Sequence, residues 1–359
     1  MNKEIQKKIF KPEVVTIVKI FIFLVVLFLV IFIIGNIFIH YTNKSKLGNV
    51  VIPDGFYYVG GKYNTGLVIS DNKDDENKGN KKNGMENLKG NQFVWVPVDH
   101  VIANNEDELQ TMLKEGKHPM ALKNGDNYSG ILYDFNKETK TFSRIEPTND
   151  RNREPAILDD IIYGDNDKKI SGSTTTLYQD SFNKMVEKVN KAGGFYISRY
   201  EMGNLVNASE SSGKIVSKSG QTSVSNIFWS DMYKLAKNMY NSDVVSTEMI
   251  WGCQWDATLI WMSNNKKNIE KIYNSSSIGN YNGIISSTGA TTSRMINNIY
   301  DMAGNVGEFT QEACFTCCRV VRGGSYSSKD EEKSMTNRNY SCGLGYTYNN
   351  VGLRIVMYI

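Results

Sequence analysis

Apolar residues concentrate in one long stretch near the start of the chain. Ile20–Ile39 contains twenty residues without a charge, and only Gly35 and Asn36 break its apolar character. At about 1.5 Å per helical residue this stretch is roughly 30 Å long, which matches the hydrocarbon core of a bilayer. Five lysines precede it and two follow it closely. This lysine excess predicts that the N-terminus is cytoplasmic.

We therefore expect a cytoplasmic N-terminus over residues 1–19, a transmembrane helix over 20–39, a linker over 40–49 and an extracytoplasmic domain over 50–359. A cleaved signal peptide is the alternative. The segment IFIHY at residues 37–41 offers no small-x-small cleavage site, which favours a retained anchor. The sequence thus predicts a single-pass protein of the cell membrane, with its large domain outside the cell.

Beyond the linker, the pattern of apolar positions predicts an α+β domain. β-Formers alternate with glycine turns over Val51–Asp71, and Asn91–Asp99 has the composition of a buried strand. Helical periodicity extends over Ile227–Tyr240, with Ser230 as a candidate N-cap. Three further segments predict helices: Glu106–Lys114, Asp180–Lys191 and Cys253–Met262.

Two polar segments lack such patterns. Residues 71–91 are charged and rich in glycine and asparagine, which predicts a solvated loop or a disordered insertion. Residues 264–293 are rich in serine, asparagine and glycine, which predicts a surface loop or a binding loop. Both are expected to be insertions within one domain.

Charge and cysteine content narrow the possible partners. The net charge is only +3, and no basic stripe carries interleaved aromatic residues, so we expect no nucleic-acid partner. Outside the cell the cysteines can form up to two disulfides and leave one thiol, while the C-x-x-C at 314–317 is also a zinc motif. With no histidine nearby, disulfides or free thiols are favoured, and the pairing stays open. The five cysteines are Cys253, Cys314, Cys317, Cys318 and Cys342.

Three short blocks near the C-terminus combine small residues that allow tight turns with hydrophobic or aromatic residues that pack. They are YDMAGNVGEF (Tyr300–Phe309), RVVRGGSY (Arg319–Tyr326) and NVGLR (Asn350–Arg354). With three upstream blocks they resemble the formylglycine-generating enzyme family, also called sulfatase-modifying factors. The resemblance implies a C-type-lectin-like fold with mixed sheets, two main helices and long loops over 50–359. The upstream blocks are Gly194–Asn204, Ser225–Met239 and Thr247–Leu259.

The resemblance also implies a calcium site in the first C-terminal block. Its ligands would be the side chains of Asp301 and Glu308 and the carbonyl oxygens of Gly304 and Val306. Ca²⁺ takes six to eight oxygen ligands, and a turn can direct carbonyls and carboxylates at one point. Glycine at 304 permits a backbone conformation that other residues resist. These four ligands predict Ca²⁺ as the bound cofactor. The chain departs from the family pattern at Gly307, where the family usually has tryptophan.

The catalytic residues of the family are missing. Active members hold Cu(I) with two cysteines shortly after the GGSY sequence, and here those positions fall at Ser328 and near Lys333. A serine hydroxyl does not replace a thiolate at Cu(I). A related branch holds iron with histidines, but this chain has three histidines, all outside the matched blocks. We therefore expect neither copper nor iron, and no catalytic residue.

Without the metal chemistry, a lectin-like pocket remains. Residues 338–350 (RNYSCGLGYTYNN) are dense in Tyr, Asn, Ser and Gly, a composition that suits adaptable binding surfaces. Tyr346 and Tyr348 are expected on the rim. The predicted ligand-binding residues are Tyr326, Ser328, Arg338, Asn339 and Tyr340.

These expectations favour a non-catalytic surface protein, a pseudoenzyme that binds a glycan, peptide or protein ligand. One alternative is an oxidase or peptide-modifying enzyme that uses relocated cysteines, namely Cys317, Cys318 and Cys342. Another is a structural component of the cell envelope or a phage-derived surface protein. The sequence names neither the ligand nor the oligomeric state.

Overall fold

The computed structural model describes residues 12–148, 151–155, 175–204, 214–314, 318–340 and 343–359. The chain forms two compact units, Met1–Asn49 and Val50–Ile359. This division coincides with the predicted border between the linker and the extracytoplasmic domain.

The first unit contains helix α1, Pro12–Leu47, which includes the whole predicted membrane segment. Large apolar side chains between Ile17 and Ile31 are exposed on this helix. Among the described residues, however, no helix combines the length and the apolar character that crossing a membrane requires. The transmembrane anchor therefore stays a prediction, and residues 1–11 of the predicted N-terminal tail lie outside the described residues.

The second unit mixes short strands with six α-helices in its described part. The helices are α2 Glu106–Lys114, α3 Thr175–Ala192, α4 Trp229–Met239, α5 Gly252–Ser263, α6 Lys266–Tyr273 and α7 Ser275–Ile278. The strands before the fourth helix are β1 Tyr57–Gly60, β2 Val68–Ser70, β3 Gln92–Pro97, β4 Ile102–Ala103, β5 Ala121–Asn124, β6 Asn127–Gly130, β7 Leu132–Asn136, β8 Thr141–Ile145, β9 Arg151–Arg153, β10 Gly194–Ser198, β11 Gly203–Asn204, β12 Ile215–Val216 and β13 Thr222–Ser223. The later strands are β14 Ser246–Met249, β15 Met295–Ile296, β16 Ile299–Tyr300, β17 Gly307–Cys314, β18 Cys318–Arg322, β19 Arg338–Asn339, β20 Val351–Leu353 and β21 Ile355–Tyr358.

The largest sheet has six strands in the order β1-β2-β3-β10-β21-β14, and neighbouring strands run antiparallel. Its centre is buried: Tyr196 on β10 lies between Trp95 on β3 and Met357 on β21. Three more tryptophans, Trp229, Trp251 and Trp255, are also fully buried. Burial of these large rings contributes to the hydrophobic stabilisation of this unit, together with many buried aliphatic and aromatic side chains.

The second sheet has the order β19-β18-β17-β20, with β9 also paired to β17. Strand β20 runs parallel to β17, and β18 runs antiparallel to it. Glu308 on β17 consequently lies opposite Arg322 on one side and Gly352 on the other. The three C-terminal blocks recognised in the sequence thus meet in this one sheet.

The mixture of helices and several sheets confirms the predicted α+β class. The predicted helices over 106–114, 180–191 and 253–262 match α2, α3 and α5, with α3 beginning earlier and α5 longer by one residue at each end. The N-cap prediction is wrong, because α4 begins at Trp229 after Phe228 and the Ser230 hydroxyl is buried inside the helix.

The two segments predicted as loops are more ordered than expected. Residues 264–293 are not one long loop, since they begin with α6 and α7. Helix α6 starts where the Asn265 side chain accepts a hydrogen bond from Lys267 N, and it buries Ile272. In the 71–91 segment, Asp75 is fully buried and accepts hydrogen bonds from Ser70 Oγ and Gly90 N, both at 2.8 Å. A side-chain cap thus starts the helix in one segment, and a buried carboxylate anchors the other.

Candidate functional site

The predicted calcium loop connects β16 to β17 through left-handed backbone conformations. Asp301, Gly304 and Asn305 have φ angles of 54°, 72° and 64°. A Cβ atom at Gly304 would lie 2.4 Å from the carbonyl oxygen of Asn280, so the turn admits only glycine there without a shift of the backbone. The amide of Gly304 donates to Gly323 O at 2.9 Å, which connects the loop to the middle of the next block, Arg319–Tyr326.

The two predicted carboxylate ligands are buried and incompletely hydrogen-bonded. Asp301 Oδ2 accepts a hydrogen bond from Gly289 N at 2.8 Å, while Oδ1 has no hydrogen-bond partner in the described structure. The nearest cation to Oδ1 is Arg294, whose Nη1 lies 3.8 Å away. Glu308 Oε1 accepts from Arg354 Nε at 2.8 Å, and Oε2 has no partner among the described residues.

A third acid, Glu201, belongs to the same cluster. It accepts a hydrogen bond from Val306 N at 3.0 Å, so it contacts the loop directly. Burial raises the pKa of Glu201 well above its usual range, and the charges of Asp301 and Glu308 raise it further. Burial also raises the pKa of Glu308 to about 7, although Arg354 opposes this. Three buried acids with two nearby arginines, Arg294 and Arg354, form an environment that an added cation would stabilise.

The donor set of this loop suits a hard cation. A third unpartnered oxygen, Asn280 Oδ1, belongs to a residue whose main chain pairs with Gly304. Buried oxygens without donors are uncommon in proteins and need an explanation such as a bound ion. No group of three or more His, Cys, Asp and Glu side chains in the described structure is arranged to hold a metal. The predicted site takes only two side chains, so this finding leaves the calcium prediction untested.

Two of the five predicted ligand-binding residues line a cavity beside β17, here called the C-terminal cavity. Ser328 and Asn339 belong to its lining, as does the predicted rim residue Tyr348. The volume of the cavity is about 110 Å³. Ser328 Oγ accepts a hydrogen bond from Ser325 N at 2.9 Å, which fixes its position. The other lining residues include Ser325, Ser327, Glu332, Asn337 and Asn350.

Arg338 and Tyr340 point away from this cavity. The Arg338 guanidinium is buried and donates to Glu312 Oε1 at 2.9 Å and to Asp256 Oδ2 at 2.6 Å. The Tyr340 hydroxyl donates to Asn152 Oδ1 at 2.8 Å. The structure therefore gives both residues internal partners, and neither lines the C-terminal cavity.

The two remaining predicted tyrosines lie at the surface. Tyr326 is half-buried, and its main-chain N–H donates to Asn305 O at 2.8 Å, so it contacts the calcium loop rather than the cavity. Tyr346 is 69 % exposed and does not belong to the cavity lining.

A buried ion cluster, which the sequence analysis did not predict, lies behind β19. Arg322 Nη2 donates to Asp256 Oδ1 at 2.8 Å, and Arg338 bridges Asp256 to Glu312. Burial and the nearby charge of Glu312 raise the pKa of Glu154 to about 8. These five residues come from five segments: the chain just after β9, helix α5 and the strands β17, β18 and β19. No local motif in the sequence predicts that they meet.

The described cysteines do not form a copper site at Ser328. Cys253 lies at the start of α5, and burial together with Glu154 raises the pKa of its thiol well above the usual range. A thiol that keeps its proton is a poor ligand for Cu(I). Cys314 and Cys318 face each other across β17 and β18, and neither lines the C-terminal cavity. Cys317 and Cys342 lie outside the described residues.

A larger cavity, here called the hairpin cavity, has a volume of about 400 Å³. It is lined by residues of β5, β6, β8 and α3 and of the segment around β9, in a region for which the sequence analysis predicted no site. Its polar lining residues include Asn124, Asn127, Tyr128, Arg144, Asn152, Glu154 and Gln179.

Comparison with known proteins gives little further information. No family model matches the chain, and no curated protein matches it. Among solved structures, Treponema denticola variable protein 1 is similar at 14 % identity, over 76 % of this chain and 97 % of that one, with a TM-score of 0.27. A TM-score this low supports no conclusion about fold or function.

Proposed function

We propose that this chain is a membrane-anchored protein whose domain outside the cell, Val50–Ile359, binds a glycan, peptide or protein ligand without catalysing a reaction on it. The observation that carries the proposal is the polar C-terminal cavity that Ser328 and Asn339 line. In this proposal the domain has the C-type-lectin-like fold of the formylglycine-generating enzyme family, and Ca²⁺ bound by the loop at 301–308 stabilises it.

The size of the cavity indicates how a ligand would use it. Ligand pockets usually measure about 300–1,000 Å³, so a cavity of about 110 Å³ takes one side chain or one sugar substituent. The rest of the ligand then extends over the surrounding surface. Exposed aromatic residues such as Tyr346 provide large contact areas at low entropic cost. An extended ligand with one anchoring group fits this arrangement best.

The chemistry around Ser328 argues against catalysis. Its hydroxyl accepts a hydrogen bond from a main-chain amide, and neither His100 nor His118 lines the cavity to act as a base. The described cysteines lie elsewhere. The cavity therefore offers hydrogen bonds and shape, but no activated nucleophile or soft metal ligand.

The arrangement of the C-terminal blocks supports the proposed family. Glu308 of the first block pairs with Arg354 of the third block, and Nη2 to Oε1 measures 2.6 Å. The same Glu308 lies opposite Arg322 of the second block. One buried acid thus contacts all three blocks, as we expect if they form one architectural unit.

The proposal is tested by screening the full-length chain against a glycan array and a random peptide library. Each hit is then measured by biolayer interferometry on the parent chain and on Ser327→Tyr. Ser327 is exposed at the cavity, so the larger side chain fills it without disturbing the core. We expect Ser327→Tyr to abolish binding. The matched control, Ser276→Tyr, changes an exposed serine outside the cavity and should bind like the parent.

Two outcomes would contradict the proposal. The first is the absence of any hit that binds the parent chain reproducibly. The second is a hit whose affinity is the same for Ser327→Tyr and for the parent chain. The proposed orientation is tested separately by adding protease to intact cells, which should digest the domain and leave a protected N-terminal fragment.

A further inference from the structure

The hairpin cavity is large enough to enclose a small ligand. Its volume of about 400 Å³ lies within the usual range for ligand pockets, about 300–1,000 Å³. None of its lining residues belongs to the C-terminal cavity or to the calcium loop. Its lining combines amide side chains with one tyrosine and with apolar residues such as Leu122 and Ile145.

A hydrogen-bond network fixes the orientation of two lining amides. Tyr128 N donates to Asn183 Oδ1 at 3.0 Å, so Asn183 Nδ2 is the group that donates to Asn127 Oδ1 at 2.9 Å. Gln179 Nε2 donates to Tyr128 O at 2.9 Å. Because a main-chain N–H only donates and a carbonyl only accepts, these amides cannot be flipped. The network leaves Asn127 Nδ2 as a donor and Gln179 Oε1 as an acceptor.

Three more lining residues keep unused hydrogen-bonding groups. Asn152 accepts from the Tyr340 hydroxyl through Oδ1, which leaves its Nδ2 as a donor. Asn124 donates to Ser129 Oγ through Nδ2 at 2.8 Å, which leaves its Oδ1 as an acceptor. The Tyr128 hydroxyl has no partner among the described residues. The lining therefore presents both donors and acceptors, and all of these groups are neutral.

The basic and the acidic lining residue, Arg144 and Glu154, already have partners within the protein. Burial raises the pKa of Glu154 to about 8, which favours its neutral form at neutral pH. The Arg144 guanidinium binds Glu106, and its Nε lies 3.5 Å from Glu146. Both oxygens of Glu154 accept hydrogen bonds from main-chain N–H groups at the start of α5. A charged ligand would find no unpaired opposite charge among the described lining residues, and its desolvation would be uncompensated.

We infer that the hairpin cavity binds a neutral polyhydroxylated ligand, a mono- or disaccharide unit. Each sugar hydroxyl both donates and accepts, which matches a lining of free amide N–H and C=O groups beside a tyrosine hydroxyl. The apolar lining residues suit the C–H faces of a sugar ring. This inference does not rest on the proposed function, because it uses a different cavity.

The test is titration of the full-length chain with D-glucose, D-galactose, D-mannose and N-acetyl-D-glucosamine, followed by calorimetry and saturation-transfer NMR. At least one of these neutral sugars should bind at millimolar concentration, and N-acetylneuraminic acid, which is charged, should not. Tyr128→Phe removes only the hydroxyl. Asn127→Asp keeps the oxygen that accepts from Asn183 and replaces the free amide nitrogen. Each change should weaken binding about threefold to tenfold.

Two controls complete the test. Tyr273→Phe alters an exposed tyrosine outside the cavity and should leave sugar affinity unchanged. The two cavity variants replace partly exposed side chains, so their melting temperatures should match the parent. The inference is overturned if no neutral sugar binds, or if Tyr128→Phe and Asn127→Asp bind like the parent. It is also overturned if Ser327→Tyr removes sugar binding, a result that would favour the C-terminal cavity instead.

Discussion

Replacing Glu308 by glutamine tests the electrostatics of the loop for which calcium binding is predicted. Glu308 is fully buried, and burial raises its pKa from a usual value near 4.5 to about 7. The folded state therefore favours the protonated form more strongly than the unfolded state does. The stability that this group contributes is fully present below about pH 4.5 and is lost as the pH rises through about 7.

The size of this effect follows from the change in pKa. A rise from 4.5 to about 7 corresponds to about 3 kcal/mol, of which about 2.5 kcal/mol is lost between about pH 5 and about pH 8. Glu308→Gln resembles the protonated acid, and its carbonyl oxygen still accepts from Arg354. As the pH rises from about 5 to about 8 in the presence of a chelator, the free energy of unfolding of the parent should therefore fall by about 2.5 kcal/mol relative to that of the variant.

Urea denaturation followed by tryptophan fluorescence measures this difference, because all five tryptophans lie in the second unit, between Trp95 and Trp261. Glu331→Gln, at an exposed acid, is the control and should show no such trend. Calcium should raise the stability of the parent most at the alkaline end, and it should not stabilise Glu308→Gln or Asp301→Asn. A parent-to-variant difference that is equal at both pH values would refute this account of the cluster.

Three further predictions concern the framework around the two sites. Gly304→Ala should destabilise the fold by about 2 kcal/mol more than Gly125→Ala in urea denaturation, because both have positive φ but only Gly304 faces a backbone oxygen at 2.4 Å. Cys253 should resist iodoacetamide in the native state at neutral pH and react after unfolding, as mass spectrometry of the labelled peptide will report, since burial raises its pKa. Arg338→Ala should lower the free energy of unfolding by about 3–5 kcal/mol, whereas Lys333→Ala, in an exposed pair, should lower it by less than about 1 kcal/mol.

A specific result would contradict each of these three predictions. Equal losses for the two glycine variants would mean that the Gly304 turn relaxes without strain. Rapid native-state labelling of Cys253 would mean that its thiol is accessible and ionised. If Arg338→Ala is as stable as the parent but loses ligand binding, Arg338 contributes to the binding site, as the sequence predicts.

Periodicity and turn chemistry predicted much of the fold. The helix over 106–114 is recognisable because its apolar residues repeat at helical spacing, and the buried strand β3 because its apolar residues form a short continuous run. Helices α6 and α7 are not predicted because they are short, with eight and four residues, and lie within a segment rich in serine and asparagine.

The candidate sites were predicted less completely than the fold. The GGSY block and the local composition predict Ser328 and Asn339 as ligand-binding residues, and both line the C-terminal cavity. Arg338 was also placed there, but two buried carboxylates from α5 and β17 pair with it instead. The hairpin cavity was missed entirely. Contacts between residues that are far apart in the sequence decide where Arg338 points and which strands enclose a cavity. No local sequence motif indicates such contacts.

The claim that this chain binds a ligand without redox catalysis is tested most directly by one measurement on the purified full-length chain. Calcium, copper and iron are quantified on the same sample in which oxygen consumption is followed with a cysteine-containing peptide and a reductant. We predict that the chain binds calcium. Copper and iron should each be well below one atom per chain, and oxygen consumption should equal the blank. Stoichiometric copper or iron, with oxygen consumption above the blank, would contradict the account.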